Sequence, residues 1–458
     1  MQFTLKNRPY SFYAFFVISI SVIISFSFFV NWGTLHHPFK NDINQYYSYL
    51  NALFIEHDLY FKSNINDYWL METSTHHFVP KVTYGMAFFY SPFFIIAKFL
   101  FQGNPTGYEP IFAWSVHFGC IVYILIGLYY TTKNLLIWFN EKIIAIVVLL
   151  LYFGTNLFYY TVSESESVHG VLFFLISFFL FHSIKWHQTF SKKSFLLATL
   201  SAGFICLIRP TECIVLIVPL LIGVNSKATF IDKLQQIALL KWTLVFGMLL
   251  FLMPLVPQLL YWKIQSGAFL FFSYGSSEGF FLTDPQIINV FFSYRKGFFI
   301  YTPMMLFAML GFFIMYKKQS PLFYASLIYF VINSYLICTW WDWSFGGSFG
   351  MRAFIHCFAI LVVPFAYFIN WVLSIYKASV IKKGFVYFMT VLSMFFCLLN
   401  VWQSNLYKHN IIHWDGMTKE AYQFTFFKRT YSEQDFVYLK TLIKSPDYEA
   451  RRKGERND

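Results

Sequence analysis

The sequence predicts an all-α polytopic membrane protein, with about eleven transmembrane helices and juxtamembrane helices in its first outer loop. Composition, the lengths of the apolar runs and the placement of basic residues carry that prediction. Of 458 residues, 57% are hydrophobic and only 12% charged, and the mean hydropathy is +0.53. A soluble domain wets its surface with about 25% charged residues. This chain has too few, so lipid must solvate much of it.

Apolar runs long enough for a hydrocarbon core of about 30 Å fall near 11–31, 111–132, 142–161, 168–184, 194–208, 211–224, 240–262, 298–315, 321–339, 353–374 and 384–402. The runs 194–208 and 211–224 flank Arg209-Pro210, and a helical hairpin turning there is the simplest account. The first run is an anchor rather than a cleaved signal, because its apolar core is long and Asn31-Trp32-Gly33 is no small-x-small site. The run 84–101 contains Pro92 and Lys98. Leaving it uncrossed puts Lys6, Arg8, Lys133, Lys142, Lys185, Lys192, Lys193, Lys227, Lys233, Lys317, Lys318, Lys377, Lys382 and Lys383 on one side, as the positive-inside rule requires. It is therefore a juxtamembrane or re-entrant element. The N-terminus is then cytoplasmic. Residues 1–402 form a membrane core with an outer loop region at 32–110, and 403–458 form a small extracytoplasmic tail.

The net charge of +12 does not indicate nucleic acid, since the basic residues sit singly or in pairs at the ends of apolar runs. The six cysteines form no Cys-x-x-Cys pair, which leaves neither a metal knuckle nor a disulfide framework. No internal repeat is evident.

This topology sends the unusual residues outside. The first outer loop carries Asp42 and Tyr46 in Asn41-Asp42-Ile43-Asn44-Gln45-Tyr46-Tyr47, then Glu56, Asp58, Asp67, Glu72, His76, His77 and Lys81. Apolar residues recur at helical spacing between Asp42 and Tyr60, as in a helix lying on the membrane. Asp42 at its start suits an N-cap and a catalytic base alike. The second outer loop is Ser163-Glu164-Ser165-Glu166-Ser167-Val168-His169. Its carboxylates either cap the next helix or serve chemistry, because charge at a membrane surface is costly to place. Lys81, Arg209, Arg295 with Lys296, and Arg352 each abut an apolar run. Each alone suits snorkelling to lipid phosphate, and several together suit a phosphate or pyrophosphate ligand. The stretch Trp340-Trp341-Asp342-Trp343, followed by Gly346-Gly347 and Arg352, is either an interfacial belt or a surface for stacking on a sugar or gripping an anionic headgroup.

In this order, the pieces resemble the GT-C class of membrane glycosyltransferases, which includes protein O-mannosyltransferases and lipid A aminoarabinose transferases. The resemblance covers roughly residues 1–400. It rests on Asp42 after the first span, Pro80-Lys81-Val82-Thr83-Tyr84-Gly85, Glu164, Glu166 and His169, and Leu207-Ile208-Arg209-Pro210-Thr211. Ser293-Tyr294-Arg295-Lys296-Gly297 with Tyr301-Thr302-Pro303, and the Trp-Trp to Arg352 loop, complete it. The chain departs from the class in lacking a second acid adjacent to Asp42.

The resemblance implies a polyprenyl-phosphate-sugar donor and a glycan, lipid or protein acceptor at the extracytoplasmic face. Asp42 would be general base, assisted by Glu164 or Glu166. Lys81, Arg209, Arg295 and Arg352 would stabilise the departing phosphate, with Tyr46, His169, Trp341 and Asp342 binding substrate. Some relatives hold a divalent metal near the acids, and here Asp42, Glu164 and His169 are available as ligands. The absence of any Asn-x-Ser/Thr sequon, with the Lys-rich, aromatic-heavy composition, points to a bacterial inner membrane. A transporter or flippase of lipid-linked sugars, and a polysaccharide polymerase or ligase of another membrane class, are the rival readings.

Overall fold

A computed structural model describes residues 9–29, 39, 41–62, 69–275, 278–376, 379–426, 428 and 430–456. Lys6, Arg8, Asp67 and Lys377, invoked above, lie outside these residues. Of the described residues, 69% are helical.

The chain opens with α1 (Tyr10–Phe29) and the amphipathic α2 (Asn41–Asn51), which continues into a π-turn at Ala52–Glu56. A two-stranded antiparallel hairpin follows, β1 (Leu70–Glu72) and β2 (Phe78–Pro80), beyond the stretch from Asp42 to Tyr60 where the sequence predicts a helix. Next come α3 (Gly85–Leu100), α4 (Pro110–Leu135), α5 (Glu141–Phe153), α6 (Leu157–Val162), α7 (Val168–Thr189) and α8 (Lys192–Ile208). A 3₁₀ turn at Pro210–Leu216 leads into α9 (Ile217–Leu221), α10 (Lys227–Ala238), α11 (Trp242–Leu252), α12 (Val256–Ser266) and α13 (Ile287–Phe292). Then follow α14 (Phe298–Tyr301), α15 (Leu306–Lys317), α16 (Phe323–Thr339), α17 (Phe358–Ser374) and α18 (Val380–Lys408). The tail carries α19 (Lys419–Thr425), α20 (Glu433–Leu442) and α21 (Tyr448–Arg452).

Among the described residues, three single helices are long and apolar enough to cross a membrane: α4, α7 and α18. A fourth is gained if α10 and α11, bent by 86° at their junction, count as one span. The other apolar runs are shorter or broken helices. The run 142–161 is divided between α5 and α6, and 240–262 between α11 and α12. The run 211–224 is a 3₁₀ turn followed by one short helix, entered through the extended Arg209. Proline and glycine explain the breaks, through the missing amide donor and the loss of helix propensity: Gly154 follows α5, and Pro254 separates α11 from α12. α3 has 16 residues, about 24 Å at ~1.5 Å per residue. Its start is tied to the end of α8 through Thr83 Oγ1 donating to the Leu207 carbonyl at 2.5 Å. Its last turn is tied to the π-turn through Lys98 Nζ and the Phe54 carbonyl, also at 2.5 Å.

α17 and α7 lie at the centre of the bundle. α17 is buried from Phe358 through Ala366, which suits a helix apolar on every side. It packs against α15, α5 and α7, while α7 also packs against α4 and α8. Small residues set these approaches. A Cβ on Gly311 of α15 would overlap the Pro364 carbonyl of α17, and one on Gly127 of α4 would lie 2.9 Å from the Phe174 Cα of α7. The periphery is apolar and open. Phe99, Trp242, Leu270, Ile288, Val391 and Leu398 are all exposed, a belt that a water-facing surface does not tolerate and lipid does.

The loops gather at two ends of the helices. At one, Ser11 N donates to Glu141 Oε2 at 3.1 Å and Lys142 sits over the Tyr10 ring, joining the start of α1 to the basic α4–α5 turn. At the other lie the acidic loops and arginines described below. The tail is no separate body. α18 runs unbroken through the expected 402/403 boundary to Lys408, and Arg451 and Arg456 are fully buried against the preceding loops.

Gly311→Ala should destabilise the bundle by about 1–3 kcal/mol, the usual cost of overpacking a core, because a helix backbone and not a flexible side chain blocks the added methyl. A lowered thermal midpoint in detergent, compared with Gly384→Ala, where the space is open, checks it.

Candidate active site

Asp42 stands in the first turn of α2. Its Oδ2 accepts from Nη2 of Arg352 at 2.8 Å, and the two are 310 positions apart in sequence. The carboxylate side chain is 52% exposed and the guanidinium 20%. Arg352 sits between the Gly-rich turn and α17, in a 3₁₀ turn that follows Gly350. Gly350 holds φ +59° while a Cβ there would lie 2.8 Å from Tyr301, so this turn requires glycine. Burial works against the Arg352 charge, but Asp42, Tyr160 and Glu164 hold its pKa above the ordinary arginine value. Its Nε makes no hydrogen bond among the described residues.

Glu164 belongs to the same assembly. Tyr159 donates to its Oε1 at 2.9 Å, and burial raises its pKa against the opposing pull of that hydroxyl and of Arg352. The buried Tyr46 feels the charges of Asp42, Arg209 and Arg352, and burial pushes its phenol well above the usual range. Arg209 stacks on Phe345, 5.5 Å from the ring centre. Asp42, Tyr46, Glu164, Arg209 and Arg352 are thus brought together from α2, the α6–α7 loop, the end of α8 and the Gly-rich turn.

Other residues singled out from sequence go elsewhere. Glu166 lies only two positions from Glu164 but faces the interior, where it meets His117 Nδ1 at 2.9 Å with both side chains almost wholly buried. Asp342 is saturated by Ser344, the Gly346 amide and Arg451, the last at 2.7 Å. Trp341 is buried beneath the Arg452 guanidinium, 4.8 Å from the ring centre. Both hold the tail in place instead of facing an open site. Arg295 is buried and donates to the Asp415 carbonyl at 2.9 Å, so it too serves the tail. Lys81 lies at the edge of the assembly, 3.2 Å from Glu278. Tyr274, raised to about 12 by burial and then Asp42, is acted on also by Arg209, Glu278 and Arg352.

The acids do not form a metal cage. Among the described residues no three His, Cys, Asp or Glu side chains gather as ligands. Asp42 goes to Arg352 and Glu164 to Tyr159, while His169 Nδ1 lies 3.4 Å from His356 Nδ1. The charge against Asp42 among the described side chains is the Arg352 guanidinium.

Sequence reading passed over a second buried cluster. Glu212, inside an apolar run, meets His356 Nε2 at 3.0 Å, the Tyr329 hydroxyl at 3.0 Å and Arg209 Nε at 3.9 Å. His356 stacks with His169, which lies within reach of the Arg209 and Arg352 charges. An ionisable residue within an apolar run was the available signal. Lys296 was noted only as a neighbour of Arg295. It is buried and donates to the Ser348 and Trp414 carbonyls.

The arrangement therefore defines an all-α membrane protein with an exposed carboxylate clamped by a mostly buried arginine, beside further cations. No protein-family model matches the chain, and no curated protein matches it. Among solved structures it is similar to the apo form of the Archaeoglobus fulgidus oligosaccharyltransferase, with 14% identity and a TM-score of 0.49 over 95% of this chain. The match spans 60% of the length of that protein.

Burial draws the Lys296 ammonium down to about 7 against the pull of Asp415, while an unfolded lysine titrates near 10.4. Between about pH 7 and pH 10 the unfolded chain then binds more protons, so this group makes stability rise with pH across that window. Thermal midpoints measured from pH 7 to 9.5 should climb less in Lys296→Met than in the parent.

Proposed function

We propose that this protein is a GT-C-like membrane glycosyltransferase. It moves a sugar from a polyprenyl-phosphate donor to an acceptor at the extracytoplasmic face of a bacterial inner membrane. The observation that carries the reading is the Asp42–Arg352 pair: a half-exposed carboxylate whose partner retains an unused, buried N–H.

In this reading the acceptor hydroxyl attacks the anomeric carbon and loses its proton to Asp42. The bond from that carbon to the phosphate oxygen breaks, and polyprenyl phosphate leaves with the electron pair. Arg352 does two things. It orients Asp42 from one nitrogen, and it offers its remaining donors to the phosphate, whose growing charge is worth most to stabilise in a site shielded from water. Arg209 and Lys81 add positive charge, and Tyr46 and Tyr274 both lie within the field of Asp42, Arg209 and Arg352. Glu164, which accepts from the Tyr159 hydroxyl at 2.9 Å and lies within the field of Arg352, stands beside Asp42 as the assisting carboxylate.

One observation favours the transporter reading: the Glu212–His356–His169 cluster is buried among helices, and transporters place ionisable groups within the membrane. Counterflow of a labelled lipid-linked sugar with no bond broken would select it.

Asp42→Asn keeps the size and removes the base. With radiolabelled polyprenyl-phosphate sugar and purified protein, transfer should fall by about 10²- to 10⁴-fold, the usual share of general-base catalysis. Full activity in that variant would remove Asp42 from the role.

A further inference from the structure

Residues 448–456 are bound to the core by ionic contacts. Arg451 is buried on Asp342, and Arg456 lies against Asp284 at 2.9 Å and the carbonyls of 338–340. Arg452, between them, is different. It is partly exposed, with its Nη2 3.4 Å from Glu278 Oε1, and Lys81 Nζ lies 3.2 Å from that same oxygen. Glu278 is nearly buried while both cations keep access to solvent. One carboxylate thus serves two cations from segments far apart in sequence, and the trio carries one net positive charge.

The consequence is electrostatic. A lysine paired alone with a buried carboxylate is neutralised, and an anion approaching it must break that pair and meet a bare carboxylate. With Arg452 on the same oxygen, Lys81 can turn an N–H outward while Glu278 stays compensated. The Trp341 ring beneath the guanidinium and the buried Arg451 and Arg456 on either side fix Arg452 in that place. Resting on the donor proposed above, we infer that Arg452 is a positioning residue for Lys81: it occupies Glu278 so that the ammonium can take the donor's phosphate. The tail is then a working part of the phosphate site.

The test is a charge-cancellation series read by binding: polyprenyl phosphate added to the full-length protein in nanodiscs, with affinity measured directly. Arg452→Gln should weaken affinity by about tenfold, roughly the value of one charge-assisted hydrogen bond. Arg452→Lys should restore most of it. The Glu278→Gln/Arg452→Gln double variant should also recover it, because the carboxylate that captures Lys81 is gone. A double variant as weak as Arg452→Gln would overturn the inference, since Arg452 would then act on the ligand itself. Unchanged affinity in Arg452→Gln would overturn it as well. A lowered thermal midpoint matching the affinity loss, with no recovery in the double variant, would make Arg452 merely structural. If the parent protein binds no polyprenyl phosphate, the donor assignment falls and this inference with it. Normal binding by the parent with no effect in the series removes the inference alone.

Discussion

A guanidinium withdrawn from water must be compensated, and Arg352 shows how much structure that demand organises. Burial alone would cost several kcal/mol, so the groups that offset it are drawn in around it: Asp42 at 2.8 Å from α2, Tyr160 from α6 and Glu164 from the turn that follows it. All are far from Arg352 in sequence. The Gly-rich turn is the device that delivers the arginine, because Gly350 combines a left-handed backbone angle with a close fit against Tyr301 that leaves no room for a Cβ. Register errors in any of these segments would leave a charge unpaired in a dry place, so the cost of mispairing helps specify the arrangement.

Much of this was legible in the order of residues, for a physical reason. Charged side chains are so expensive in lipid that their positions between apolar runs mark the loops, and acids and arginines at the ends of such runs stand out. Asp42, Glu164, Arg209 and Arg352 could all be named on that basis, and they do converge. What could not be read was direction within a loop. Glu164 and Glu166 have the same neighbours in sequence, yet one reaches Arg352's field and the other pairs with His117 inside the bundle. Asp342 and Trp341 looked equally available, and the tail arginines that engage them lie more than a hundred positions away.

Helix boundaries were the other illegible quantity. Hydropathy measures how apolar a run is, not whether its backbone is continuous, so 142–161, 211–224 and 240–262 read as spans although each is interrupted. Glu212 was hidden for a related reason. Surrounded by isoleucine, valine and leucine, it is averaged away in any window, while in space it is one of the best-partnered carboxylates in the molecule.

The route by which the tail arginines are buried has a bearing on biogenesis. Synthesis runs from the N-terminus, so the segments around Asp284 and Asp342 emerge well before residues 451–456 that neutralise them. Until then those carboxylates are left to water. A few charged side chains at the very end of the described chain therefore close the assembly last, as a clasp fastened once the parts are in place.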